Sequence, residues 1–318
     1  MSMIRMTPFG TSGYLRNRKN HMTDVIAERS WEDLYPDGIC RLSGLIKAVL
    51  DQQIVDLPSA AVSDDETRYP VDEPSMRAFL ETFFARHVFQ LQRSLAEYVA
   101  SLDFQRCVRF GPLRILDIGS GPAVASLSLI DLVQHTICTG ELRASKRPRD
   151  FGKVHVLNDT SPICLTTGRR MLATCRELGE SLGLMSSGDR VLTLLTAFPH
   201  NIRQIQQLAS SLGGFDIIIL SYVMSPLTEA YGLRSLGTAV RALERLCKPC
   251  GRVVVLQDRF QESLIRSLAR MLEVEHREQT VTQEIYPPRG DNETYTYTYY
   301  DCLYAPRMRV IDRVWRGT

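Results

Sequence analysis

The chain has 318 residues, of which 44% are hydrophobic and 23% charged, the composition of a globular protein. Its 38 basic and 36 acidic residues give a formal net charge of +2, too balanced for nucleic acid to be expected as the main partner. No run of about 18 apolar residues occurs, so no membrane-spanning helix is predicted. The eight scattered cysteines and the lack of a secretory segment favour a reduced, cytoplasmic compartment.

The first 30 residues are predicted to form a basic, flexible tail. Residues 1–23 contain no acid and carry Arg5, Arg16, Arg18 and Lys19. This composition is also typical of mitochondrial targeting peptides. Pro8 and the nearby glycines would interrupt an amphipathic helix, so a loose tail is favoured over a targeting signal.

Residues 31–110 are predicted to form a helical cap before the main domain. Apolar residues from Leu45 to Ile54 follow a helical period, and Ser75 is expected to cap a long helix in which Met76 and Leu80 share one face. Several aromatic residues in this segment either wall a pocket or belong to the core, the second being the commoner case. They are Trp31, Tyr35, Tyr69, Phe83 and Phe84.

Residues 114–123, Arg-Ile-Leu-Asp-Ile-Gly-Ser-Gly-Pro-Ala, predict a strand, a tight turn and the start of a helix. Glycines let the backbone turn sharply and approach a ligand, and Pro122 is expected at the first helical position. The turn is therefore predicted to offer free N–H groups to a ligand. A plain corner without any ligand is the alternative, because short glycine motifs are weak signals.

Residues 111–318 then alternate strands and helices, which predicts an α/β domain with a parallel sheet. An antiparallel hairpin is expected to follow, and the run 248–251, Lys-Pro-Cys-Gly, is interpreted as the turn before strand 5. Residues 138–153 are interpreted as an inserted basic loop. The predicted strands are 114–118, 154–157, 190–195, 215–220 and 252–256, and the hairpin strands are 275–286 and 295–304.

Asp117, Gly119 and Gly121 make a DxGxG pattern that resembles motif I of the class I S-adenosylmethionine (SAM) methyltransferases. The wording Asp-Ile-Gly-Ser-Gly-Pro is most similar to small-molecule N-methyltransferases acting on nicotinamide and phenylethanolamine. The resemblance implies a Rossmann-like, seven-stranded sheet, parallel with an antiparallel C-terminal hairpin, and SAM as the cofactor. The dinucleotide pattern GxGxxG fits less well, because Val124 stands at its third glycine.

The resemblance and the strand ends together give the expected site, since ligands of an open parallel sheet bind at the carboxyl ends of its strands. Residues after strand 1 would face the methionine part of SAM, an acid after strand 2 would accept the ribose hydroxyls, and residues after strand 3 would meet adenine. Thr196 stands where the family commonly has an acid. The expected cofactor-binding residues are Asp117, Gly119, Ser120, Gly121, Asn158, Asp159, Thr160, Thr196, Ala197 and Ser221, and the expected catalytic residues are Ser221 and Tyr222.

Three functions remain open from the sequence. The first is SAM-dependent methyl transfer to a small molecule, which needs little base catalysis when the acceptor is nitrogen. The second is transfer of the aminocarboxypropyl group or cyclisation of SAM, as in nicotianamine synthases and azetidine-2-carboxylate-forming enzymes, with release of methylthioadenosine. The third is an RNA methyltransferase or a related mitochondrial ribosome assembly factor. Neither a metal site nor a redox role is expected at Cys247 and Cys250, because no second cysteine pair stands at zinc spacing and the run 248–251 is interpreted as a turn. The oligomeric state is left open.

Overall fold

The computed structural model describes residues 31–58, 69–109, 111–138, 152–181, 188–288 and 293–307. The predicted tail at residues 1–30, the basic part of the predicted insertion and the tip of the predicted hairpin lie outside these residues. Within them, no helix is both long and apolar enough to cross a bilayer.

A single seven-stranded sheet organises the chain, in the order β3-β2-β1-β4-β5-β7-β6. All neighbours are parallel except at β7, which runs antiparallel to both β5 and β6. The predicted seven-stranded sheet with an antiparallel C-terminal hairpin is thereby confirmed. The strands are β1 (Leu113–Ile118), β2 (Lys153–Asp159), β3 (Arg190–Leu195), β4 (Phe215–Ser221), β5 (Cys247–Asp258), β6 (Arg277–Glu284) and β7 (Thr294–Tyr304).

The Lys-Pro-Cys-Gly run does not form the expected turn. Residues 248–251 belong to the amino end of β5, which begins at Cys247. Cys247 already pairs with Phe215 of β4, and the register shifts before Ile217 pairs with Arg252. An irregular strand start therefore takes the place of a separate turn, and β5 is longer than predicted.

Ten α-helices occur in the described residues. Two of them, the helix between β3 and β4 and the helix just after β4, were not located from the sequence. The helices are α1 (Trp31–Leu34), α2 (Gly44–Asp56), α3 (Glu73–Ala100), α4 (Leu102–Arg109), α5 (Val124–Cys138), α6 (Pro162–Ser181), α7 (Ile202–Leu212), α8 (Met224–Tyr231), α9 (Leu233–Glu244) and α10 (Glu262–Leu272).

The long helix α3 begins slightly earlier than predicted. Asp72, and not Ser75, is its N-cap residue: the Asp72 carboxylate accepts a hydrogen bond from the Ser75 N–H at 2.9 Å. The Ser75 hydroxyl in turn accepts from the Asp72 N–H at 3.1 Å. This reciprocal capping box satisfies two backbone donors at the start of the helix.

The N-terminal helices share one hydrophobic core with the sheet. Phe84, Phe89 and Leu95 of α3 are fully buried in the same cluster as Ile115 of β1 and Ile219 of β4. A second cluster covers the other face of the sheet, beneath α7, α9 and α10. Because α3 packs across the sheet, its first half reaches the carboxyl ends of the strands.

Candidate functional site

The candidate site lies where the order of strands reverses on the two sides of β1. From β1 the chain proceeds to β2 and β3 on one side, while β4 and β5 lie on the other. Such a reversal opens a crevice at the carboxyl ends of the strands. A cavity is found there, between the loop after β1, the end of β4 and the N-terminal helical segment. Among the predicted site residues it is lined by Asp117, Gly119, Ser120, Gly121, Ser221 and Tyr222.

The loop after β1 requires glycine at position 119. Gly119 has a φ of +67°, and a Cβ placed there would lie 1.8 Å from Val223 Cγ1. Gly121 also has a positive φ, +51°, but a Cβ placed there would have no atom within 4 Å. Close approach of the loop to β4 therefore depends on Gly119, while Gly121 serves only the conformation of the turn.

Helix α5 begins two residues later than the sequence suggested. Ala123 adopts a φ of +61°, which no helical residue has, and the helix starts at Val124. Pro122 is thus part of the turn, and its predicted place at the first helical position is wrong. Gly168 of α6 explains why the turn can lie so deep: a Cβ there would come within 3.0 Å of Ala123 Cβ.

The backbone N–H groups of the loop are not free, contrary to the sequence prediction. Gly119 and Ser120 both donate to the Asn158 carbonyl, at 2.8 and 3.1 Å. Gly121 donates to Asp159 Oδ2 at 2.9 Å. The reason lies in the tertiary structure, because the end of β2 lies against the loop and accepts the hydrogen bonds that a ligand was expected to accept.

Asp159 is a buried carboxylate with donors on both oxygens. Its Oδ1 accepts from the Ser161 N–H at 2.8 Å, and its Oδ2 accepts from the Gly121 N–H and from the Tyr69 hydroxyl. Burial and the charge of Asp159 raise the pKa of Tyr69, so the phenol keeps its proton and remains a donor. Thr160, the next residue, is exposed. Tyr69 therefore occupies an acceptor position that the ribose was expected to use.

Asp117 contrasts with Asp159. Its side chain is fully buried, and among the described residues neither carboxylate oxygen has a hydrogen-bond partner. Burial, with a smaller contribution from the charge of Asp159, raises the pKa of Asp117 to about 8, and the nearby backbone N–H of Ser126 on α5 offsets this rise only in part. A buried carboxyl without a close hydrogen bond is costly, which marks this wall of the cavity as suited to a cationic donor.

The residues after β3 are held by the end of β2. Asn158 Nδ2 donates to the carbonyls of Leu194 and Thr196, at 2.9 and 2.8 Å. Asn201 donates to Thr196 Oγ1 at 2.8 Å and, through its backbone, to the Ala197 carbonyl at 3.2 Å. Asn158, Asp159, Thr160, Thr196 and Ala197 lie beside the cavity and are not among the residues that line it.

Tyr222 follows β4 in a left-handed conformation, with φ of +60°, and its hydroxyl donates to Gln90 Oε1 of α3. The His87 ring stacks on the Tyr222 ring, with centroids 4.2 Å apart and an angle of 15° between the planes. Burial, helped by the neighbouring Arg86 charge, lowers the pKa of His87 to about 3. His87 is therefore a neutral imidazole at physiological pH.

Sequence reasoning missed His87. Two other residues near the strand ends have side chains that could act as bases, His200 and Asp258. His200 is exposed, and Asp258 forms an ion pair with Arg86 at 2.8 Å. The only local signal for His87 was its place one turn after Phe83 on a helix rich in aromatic residues.

The aromatic residues of the helical segment divide between cavity and core. Tyr69 lines the cavity together with Phe79, which sequence reasoning had not named. Phe83 packs against the His87 ring, with centroids 5.9 Å apart. Tyr35 and Phe84 are buried in the core, as expected for most such residues.

No protein-family model matches the chain, and no curated protein matches it. Among solved structures it is similar to a SAM-dependent methyltransferase from Agrobacterium tumefaciens, at 13% identity and a TM-score of 0.40, over 70% of this chain and 61% of that one. It is also similar to the precorrin-6y C5,15-methyltransferase from Geobacter metallireducens, at 12% identity and a TM-score of 0.37, over 78% of this chain and 99% of that one. The chain thus spans about 61% of the length of the first of these proteins.

One antiparallel strand, β7, lies between β5 and β6 at the edge of an otherwise parallel sheet, and a glycine loop follows β1. The fold is the class I methyltransferase fold. Within that fold, the cavity occupies the crevice beside β1 and β4, and the glycine loop forms its floor.

Proposed function

We propose that this protein is a SAM-dependent methyltransferase that transfers the sulfonium methyl group to a small molecule. The observation that carries the proposal is the Asp117 carboxyl, buried in the cavity wall beside the glycine loop without a hydrogen-bond partner among the described residues. SAM has a primary ammonium group at its methionine end, which would supply the missing donors. The loop residues Gly119, Ser120 and Gly121 would contact the same part of the cofactor.

Asp159 is proposed to bind the ribose. A carboxylate has two acceptor oxygens at about the spacing of a diol. The Gly121 and Ser161 N–H groups hold the Asp159 carboxylate in place. The Tyr69 hydroxyl is the hydrogen-bond partner that a ribose hydroxyl would replace. Tyr69 precedes α3 in the chain and belongs to the helical segment, so its displacement leaves the sheet unchanged.

Adenine is proposed to lie along the residues after β3. Asn158 fixes the Thr196 carbonyl and Asn201 fixes the Thr196 hydroxyl, so the Thr196–Ala197 peptide is held in place. Thr160 is exposed next to Asp159, and we assign it to the rim of the proposed cofactor site. This part of the assignment derives from the family resemblance and from the position of these residues at the strand ends.

The acceptor is proposed to lie against Phe79, His87 and Tyr222. When bound, SAM supplies a methyl group already activated by the sulfonium, so the protein must mainly align the acceptor with it. The Tyr222 ring is suited to a cation, which aromatic faces attract by roughly 0.5 to 2 kcal/mol. Because His87 is a neutral imidazole, one of its ring nitrogens can accept a hydrogen bond from an N–H or O–H nucleophile. Ser221, the last residue of β4, precedes Tyr222 and lines the same cavity.

Titration calorimetry with S-adenosylhomocysteine tests cofactor binding. Asp159→Asn is expected to weaken binding by about tenfold or more, since hydrogen bonds to charged groups contribute about 1.5 to 3 kcal/mol. Asp103→Asn is the matched control, because it removes a carboxylate of α4 that pairs with Arg252 of β5, away from the cavity. No binding by the unaltered protein, or equal binding by both variants, would contradict the proposal.

Product analysis tests the reaction. The protein is incubated with SAM and a small-molecule cell extract, and the sulfur-containing nucleoside released is identified by mass spectrometry. S-adenosylhomocysteine is expected. Methylthioadenosine would indicate aminocarboxypropyl transfer or cyclisation, and release that depends on added RNA would indicate an RNA acceptor.

A further inference from the structure

Two cysteines from distant parts of the sequence lie next to each other near the amino end of β5, whereas the candidate site lies at the carboxyl ends of the strands. Cys107 is on α4 and Cys250 is near the amino end of β5, 143 residues later, and their Sγ atoms are 2.6 Å apart. A disulfide bond is about 2.05 Å long. We propose that Cys107 and Cys250 are a redox-sensitive pair that forms a reversible disulfide bond and ties the helical segment to the sheet.

The surroundings hold the two sulfurs together. The Tyr98 hydroxyl lies 3.5 Å from Cys107 Sγ and donates to the Cys250 carbonyl at 3.1 Å. Asp103 of α4 also forms an ion pair with Arg252 of β5 at 3.0 Å. Helix α4 and strand β5 are thus already fixed against each other, and bond formation requires only a small approach of the sulfurs.

A bound metal is the competing use of this cluster, because Asp216 has a carboxylate oxygen within 4.8 Å of both sulfurs. Both oxygens of Asp216 are engaged, however: Lys248 Nζ donates to Oδ1 at 2.7 Å and the Arg114 N–H donates to Oδ2 at 2.8 Å. The Lys248 ammonium would repel a cation at this carboxylate. The cluster therefore favours a bond between the sulfurs over a metal site.

The two thiols differ in access. Burial, followed by the Cys250 contact, raises the pKa of Cys107, whereas Cys250 is half-buried and reaches solvent. Cys250 is accordingly the first to react. Its thiolate attacks a small disulfide such as oxidised glutathione and releases one thiol, and the Cys107 sulfur then displaces the second. The protein loses two electrons and two protons, and the small disulfide gains them.

Cys247 provides a matched control. It is also on β5, three residues before Cys250, but its thiol is buried, and a Cβ at Gly251 would lie 2.7 Å from its sulfur. Cys247 is thus packed beneath the strand, and Cys250 is the cysteine of this pair that meets α4.

The test uses the full chain, treated with oxidised glutathione, alkylated under denaturing conditions and analysed by mass spectrometry. We expect the number of free thiols to fall from the eight of the sequence by two, with a linked peptide pair containing Cys107 and Cys250 that dithiothreitol separates. Cys247→Ser is expected to keep this link, while Cys250→Ser and Cys107→Ser are each expected to lose it. The oxidised protein should also melt several degrees higher, because a long loop is closed in the unfolded chain.

Three outcomes would overturn the proposal. The first is a link between other cysteines, such as Cys247 and Cys250. The second is unchanged thiol content across a range of glutathione redox poise. The third is one equivalent of a tightly bound transition metal that protects Cys107 and Cys250 from alkylation until a chelator removes it. None of these readouts involves SAM, so they are independent of the proposed methyl transfer.

Discussion

The imidazole of His87 lies flat on the phenol ring of Tyr222, with ring centroids 4.2 Å apart. The two residues come from different layers of the fold, helix α3 of the N-terminal segment and the carboxyl end of β4. Their contact closes one side of the cavity above the glycine loop. The helical segment therefore contributes side chains to the candidate site and does not merely cover it.

His87 predicts a loss of stability in acid. Its pKa of about 3 in the folded protein is below the value of about 6.5 expected in the unfolded chain. The unfolded state therefore binds the proton more readily, and the free energy of unfolding falls as pH decreases from about 6.5 towards 3. Urea titrations between pH 7 and 4 should show a shallower decline for His87→Gln than for the unaltered protein. His200→Gln, at an exposed position, should leave the slope unchanged, and equal slopes for all three proteins would contradict the assignment.

Asp117 predicts a pH dependence of cofactor binding. With a pKa of about 8, this carboxyl is mostly protonated in the free protein at neutral pH. If a ligand ammonium binds the ionised form, the proton must leave first, so affinity for S-adenosylhomocysteine rises with pH by up to about tenfold per unit below pH 8. Asp117→Asn should bind weakly and without this slope. Affinity that is flat with pH in the unaltered protein would exclude an ionised Asp117 in the complex.

Tyr69 predicts that a mutation can improve binding. Its hydroxyl occupies Asp159 Oδ2, the oxygen proposed for the ribose. Tyr69→Phe removes this competitor while keeping the ring, and we expect affinity for S-adenosylhomocysteine to increase by about threefold to tenfold, the worth of about one hydrogen bond. Tyr286→Phe is the control, since that hydroxyl also donates to a carboxylate, at Asp51 away from the cavity. Weaker binding by Tyr69→Phe would mean that the hydroxyl contacts the ligand instead.

We expect alanine to lower the free energy of unfolding more at Gly119 than at Gly121. Gly119→Ala combines a left-handed backbone with a Cβ 1.8 Å from Val223 Cγ1, so the free energy of unfolding should fall by about 3 kcal/mol or more. Gly121→Ala has the backbone cost alone, about 1 kcal/mol, because no atom lies near the added Cβ. Adding Val223→Ala should restore part of the loss in Gly119→Ala and none in Gly121→Ala. Chemical denaturation measures all four variants.

Much of the fold could be predicted from local signals. The buried strands β1 and β4 are mostly apolar, the bounds of β3 were predicted to the residue, and the alternation in β6 and β7 identified the hairpin. These patterns depend on neighbours within a few residues. The start of β5 was missed for the opposite reason, because Cys247 enters the strand only through its partner on β4.

The sequence by itself determined the seven-stranded α/β fold and the glycine loop after β1, because backbone conformation and apolar period are short-range properties of the chain. The tertiary structure decided which groups in the site are engaged. The loop N–H groups donate to the end of β2, Tyr69 reaches Asp159 across 90 residues, and Asp117 is left without a partner among the described residues. Hydrogen bonds, ring stacking and thiol contacts depend on distances between atoms that are remote in the chain. No local pattern encodes such distances, so His87 beside Tyr222 and Cys107 beside Cys250 emerge only when the helices pack on the sheet.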